Sequence, residues 1–115
     1  MALQFSTIQH TNCSEIQLSG SALTEPDFEE LNEEVNSLIN KGSSNIILNL
    51  EHIKLLNSLG INTLIKIFTK SRNAGGDMYI VNISDKINQV LLLTKLNTVL
   101  NIAASVEEAT ENFNQ

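Results

Sequence analysis

The residues equipped for chemistry are few in this chain: two histidines, one cysteine, thirteen acids and scattered hydroxyls. No ligand set is evident around His10 or His52, so no metal site is expected. No glycine-rich loop opens a helix to cradle a phosphate, since Gly75-Gly76 follows a helical stretch. A Ser/His/Asp hydrolase would need Ser58 and His52 assembled with an acid, and no nucleophile-elbow pattern surrounds Ser58. The pairs Glu29-Glu30 and Glu33-Glu34 have the spacing of a solvated helix face. The expectation is a protein that is not an enzyme and holds no cofactor. Cys13 stands alone, which excludes an internal disulfide, and reads as a small hydrophobe in or beside a strand.

One junction stands apart. Asn57-Ser58-Leu59-Gly60-Ile61 lies where the loop after an apolar strand becomes a helix. In a parallel α/β sheet this is the carboxyl edge, where ligands and partners usually meet the fold. A helix start offers unpaired backbone N–H groups and the positive end of the dipole, so a phosphate there would be stabilised. The plainer reading makes Asn57 or Ser58 only an N-cap, worth about 1 kcal/mol. From the residues alone both readings stand.

The elements that must position this junction follow from periodicity. Phe5 and Ile8, then Ile16 and Leu18, indicate two short strands with a turn near His10-Thr11-Asn12, and Gly20-Ser21 ends the second. Thr24 opens a first helix as its cap, with Asp27 three residues on and Pro26 in the first turn. Phe28, Leu31, Val35, Leu38 and Ile39 form its apolar face, and Gly42 stops it. Ile46 to Leu50 is a buried central strand. A second helix runs from near Ser58 to Asn73, with Ile61, Leu64, Ile65 and Phe68 inward. Met78 to Ile83 is a fourth strand, and Ser84 caps a third helix carrying Ile87, Val90, Leu91 and Thr94. Leu100 to Ala103 is a last strand, and Ser105-Val106-Glu107-Glu108 opens a final helix that turns Ala109 and Phe113 inward. The order β-β-α-β-α-β-α-β-α predicts a single α/β domain over residues 1–115: a mainly parallel, mixed sheet of about five strands with four helices. The first two strands can pair as a hairpin. Ile47, Leu48, Leu50, Leu64, Ile65, Phe68, Ile80 and Val90 are the expected core.

Composition agrees with this reading. Apolar residues make up 42% and charged residues 17% of 115, enough for one globular core. The net charge of −6 and the dispersal of seven basic residues argue against nucleic acid; only Lys66, Lys70 and Arg72 come close together. No secretory leader and no span of roughly 20 apolar residues is evident, so a cytoplasmic protein without membrane insertion is expected.

Taken in order, Ile46-Ile47-Leu48-Asn49-Leu50-Glu51, Asn57-Ser58-Leu59-Gly60-Ile61, Gly75-Gly76-Asp77-Met78, Leu92-Leu93-Thr94-Lys95-Leu96 and Ser105-Val106-Glu107-Glu108-Ala109 resemble the STAS domain (sulfate transporter and anti-sigma factor antagonist). The likeness is to stand-alone bacterial anti-sigma factor antagonists and extends over nearly the whole chain. That family carries Asp-Ser-(Ser/Thr)-Gly-Leu-Gly at its second helix, and the first serine is phosphorylated by a partner that is both serine kinase and anti-sigma factor. The resemblance puts that serine at Ser58, with Asn57, Leu59, Gly60, Ile61 and Asn62 as the partner-binding stretch. It implies a serine phosphatase that removes the phosphate, and an unmodified form that binds the anti-sigma factor and frees the sigma factor in bacterial transcription control. The chain departs from the pattern in having Asn57 for Asp, Leu59 for the second hydroxyl, Asn62 for the second glycine, and Gly20-Ser21-Ala22-Leu23 for the common Gly-Glu-Leu-Asp. Asn57 and Leu59 favour an alternative: a STAS scaffold, or a subunit of a transport or signalling complex, that binds without phosphorylation.

Overall fold

A computed structural model describes residues 3–20, 25–53 and 56–113. In chain order it places β1 (Gln4–Gln9), β2 (Ser14–Ser19), α1 (Glu25–Asn40), β3 (Ile46–His52), α2 (Ser58–Asn73), β4 (Met78–Val81), α3 (Asp85–Leu93), a short 3-10 turn (Leu96–Thr98), β5 (Asn101–Ala103) and α4 (Val106–Phe113). The five strands lie side by side in sequence order. β1 and β2 form an antiparallel hairpin, and β2 to β5 are parallel. Each crossover steps one strand in the same direction, so right-handed connections bring α1, α2 and α3 to one face of the sheet.

Strand alternation divides the core between the two faces. Ile16, Leu18, Ile46, Leu48, Leu50, Met78 and Ile80 point to the face that meets Phe28, Leu31 and Val35 of α1, Leu64, Ile67 and Phe68 of α2, and Ile87 and Leu91 of α3. The opposite face gathers Cys13, Ile47, Val81 and Ala103 under Ala109, with Tyr79, Val106 and Phe113 packed around them. The Tyr79 and Phe113 rings meet edge to face at 5.0 Å. α4 thus covers the β3–β5 side of this face.

The inward placing of Val90, Ile65 and Thr94 and the end of the fourth strand need correction. Val90 lies 36% exposed on the outside of α3, and Ile65 is only half-buried. On nine-residue α3 the inward side is set by Ile87 and Leu91, four apart, and neither Val90 nor Thr94 shares it. The fourth strand ends at Val81, before Ile83, because Asn82 turns to φ 58° and breaks the extended run. The expected cap Thr24 lies outside the described residues, as do Ser21, Ala22 and Leu23; α1 ends at Asn40, and Gly42 two residues on, at φ 90°, turns the chain away. Among the described residues no helix is long and apolar enough to cross a membrane.

Candidate functional site

The carboxyl end of β3 delivers the chain to the start of α2. Asn57 is extended, at φ −90° and ψ −177°, and its Oδ1 accepts a hydrogen bond from the Gly60 amide at 2.9 Å. Its carbonyl accepts from the Ile61 amide at 3.0 Å. The N-cap is therefore Asn57, and Ser58 is the first residue of the helix. The Ser58 and Leu59 amides have no partner among the described residues and belong to the unsatisfied set of every helix start. No acid occupies the first turn. Asn in place of Asp keeps the cap geometry and removes a negative charge from beside Ser58.

The stretch divides between surface and core. Ser58 and Asn62 are exposed, Asn57 and Leu59 half-buried, and Gly60 and Ile61 buried. Ile61 joins the main core, and Leu59 packs against the same cluster. Gly60 is small for an internal reason: a Cβ there would lie 2.9 Å from Leu56 Cδ2 and 3.2 Å from Phe28 Cζ. Its lack of a side chain lets α1 and the β3–α2 connection close on α2, rather than lowering an outer surface. The exposed polar side chains of this stretch are thus those of Ser58 and Asn62. Lys66 and Arg72 are exposed on the same helix, and Arg72 lies over the Phe68 ring at 5.2 Å. Among the described residues no group of three or more His, Cys, Asp or Glu is placed to hold a metal ion.

A second polar constellation was not expected from the sequence. On the sheet face away from α1–α3, Glu15 is 3% exposed. His10 Nε2–H donates to its Oε1 at 2.8 Å, and Gln17 Nε2 and Asn49 Nδ2 each donate to its Oε2 at 3.0 Å. Asn49 Oδ1 in turn accepts from Asn82 Nδ2 at 3.2 Å and from the Glu51 amide at 3.1 Å. Burial pushes the Glu15 carboxyl up, but the bonds from Asn49, His10 and Gln17, with the nearby His10 charge, outweigh it and hold the group below the ordinary carboxylate value. The signal available in the sequence was Asn49 inside an otherwise apolar strand, which demands a buried partner. The Glu15 carboxylate and Asn49 Oδ1 are met by donors from within the fold, which gives this network a structural role.

The family model of the STAS domain matches residues 4–109. A candidate anti-sigma factor antagonist from Thermotoga maritima is 28% identical over 76 residues, 66% of this chain and 67% of that protein. The crystal structure of a candidate anti-sigma factor antagonist from Thermotoga maritima superposes with a TM-score of 0.82 at 22% identity, over 96% of this chain and 95% of the other. The Bacillus cell fate determinant SpoIIAA, in its phosphorylated form, superposes with a TM-score of 0.72 at 22% identity, over 95% and 98% of the two chains. At these identities the two structures establish a shared fold.

Proposed function

This chain belongs to the STAS domain family, and from that premise we propose that it is an anti-sigma factor antagonist whose binding is switched at Ser58. It acts by association, not by catalysis. The unmodified protein docks the start of α2 against an anti-sigma factor that is also a serine kinase, and the sigma factor is released. The kinase passes the γ-phosphoryl group of ATP to Ser58 Oγ, and a serine phosphatase returns the hydroxyl. The observation that carries this reading is the exposure of Ser58 as the first residue of a helix whose first turn holds no acid. A phosphate there adds about −1.5 to −2 charge at pH 7 beside the first-turn amides and the positive end of the dipole, so the domain tolerates it. The partner instead meets a dianion where it had faced a small hydroxyl. A bound surface without compensating cations then loses several kcal/mol through desolvation and clash. The relative named SpoIIAA exists in a phosphorylated form, which supports the same chemistry here.

Calorimetric titration of the native protein, Ser58→Ala and Ser58→Asp against the anti-sigma kinase of the same organism tests the switch, with phosphate followed by mass spectrometry. Native protein and Ser58→Ala should bind alike, Ser58→Asp should fold normally and bind at least about tenfold more weakly, and ATP should place one phosphate on the native protein and none on Ser58→Ala. Equal affinities for all three with no phosphate at Ser58 would leave the scaffold reading, to which Asn57 and the inward-packed Leu59 lend support.

A further inference from the structure

β1 is an edge of the sheet, and it carries none of the usual protections of an edge. Its six residues, Gln-Phe-Ser-Thr-Ile-Gln, include no charge and no proline, and its pairing with β2 runs without a bulge. The opposite edge, β5, is only three residues long. Which groups of β1 point outward follows from the hairpin. The His10 amide bonds to the Cys13 carbonyl, which makes this a hydrogen-bonded position of the hairpin, and by alternation so are Ile8 with Glu15 and Ser6 with Gln17. The N–H and C=O groups of Phe5, Thr7 and Gln9 therefore point away from the sheet. Among the described residues β1 pairs only with β2.

The flanks of this edge are unlike. On the helix side, Thr7 Oγ1 donates to the Glu34 carboxylate of α1, which brings that helix alongside β1. Glu30 lies one turn before Glu34 on the same side, and residues Glu25–Asn40 contain no Lys or Arg. On the other face, Ile8 is 41% exposed beside exposed Ser6 and Gln4.

We propose that β1 receives an extended, basic segment of a partner protein as an added strand, on a surface separate from the start of α2. Its main chain pairs with the outward groups of Phe5, Thr7 and Gln9. Its alternate Lys or Arg side chains face Glu30 and Glu34, and the intervening residues cover Ile8. A second copy of this chain fits less well. Two copies of β1 sharing a two-fold axis keep their helices on one side. The register that uses all three outward residues sets Thr7 opposite its own counterpart, so two Glu34 carboxylates would meet across the axis without a cation.

The test uses the full chain labelled with nitrogen-15 and a blocked peptide of about seven residues that alternates lysine with valine and threonine. The peptide should slow exchange of the Phe5, Thr7 and Gln9 amide protons at least about tenfold and leave those of Ser58 and Leu59 unchanged. Its affinity should fall at least about tenfold between low salt and roughly 0.3 M salt. Glu30→Gln with Glu34→Gln, and separately Gln9→Pro, should each weaken it several-fold. The proposal is overturned if the same peptide N-methylated at alternate residues binds equally well, if a glutamate version binds equally well, or if the shifts fall on α2. It is also overturned if the three amides are already protected without peptide in a protein that sediments as a dimer, which would make a second copy the occupant. None of these outcomes depends on whether Ser58 is phosphorylated.

Discussion

Glu15 shows how one residue can set the acid limit of a fold. Its carboxylate has left water, and hydrogen bonds from three side chains on three separate segments replace the lost hydration. Its folded value is depressed, so the stabilisation is present above the ordinary value of about 4.5 and is lost as the pH falls through the lower, folded value. Urea unfolding from neutral pH down to about pH 3 should therefore show stability falling below about pH 4.5, with Glu15 supplying up to ~1.4 kcal/mol per pH unit of the slope. Glu15→Gln should be less stable at neutral pH and flatter in that acid range; an unchanged slope would remove Glu15 from the account. Ser58 is the opposite kind of residue. It is exposed and contributes little to the core, so Ser58→Asp should alter binding while leaving the unfolding midpoint nearly unchanged.

At the scale of the element, α2 and α3 illustrate what periodicity can and cannot assign. Leu64, Ile67, Phe68 and Ser71 share the inward side of α2, and the half-buried Ile65 sits at its margin. α3 is too short for its apolar residues to declare a face, since Val90, Leu91, Leu92 and Leu93 run consecutively. The sheet decides: Leu91 is fully buried, while Leu92 and Leu93 are 52% and 84% exposed. Leu64→Ala and Leu91→Ala should each cost about 2–5 kcal/mol in denaturant unfolding, and Val90→Ala less than about 1 kcal/mol. Equal costs at positions 90 and 91 would contradict the orientation of α3. The site is legible at this scale as well. A loop after an apolar strand, an Asn and a helical run fix a helix start near Ser58, and the cap geometry follows.

At the scale of the molecule, the two faces of the sheet are closed by different means. The main face is buried by three crossover helices and the other, among the described residues, by α4, and Cys13 lies beneath that helix. Burial raises the Cys13 thiol above its ordinary value, the Glu15 charge adds to this, and a bond with Thr110 of α4 opposes it. A buried, protonated thiol is a poor nucleophile. At pH 8 a thiol reagent should therefore modify Cys13 only through opening of the fold, far more slowly than in urea. Phe113→Ala, which removes the ring packed on Tyr79, should loosen α4 and speed labelling at least about tenfold. Labelling as fast as that of the unfolded chain would mean that α4 does not seal this face.

The sequence by itself determined the element order, the apolar stripe of α1, the buried β3 strand and the helix start at Ser58. Each rests on local chemistry: a period of 2 or 3.6, a cap, a glycine able to adopt positive φ. The tertiary structure decided what depends on residues distant in the chain. Asn49 is an oddity within its own strand and becomes intelligible only beside Glu15, 34 residues away. Gly60 reads as part of a surface until Phe28 of α1 is brought against it. The open edge of β1 exists only once strand order is known, because no strand carries in its own sequence the number of its neighbours.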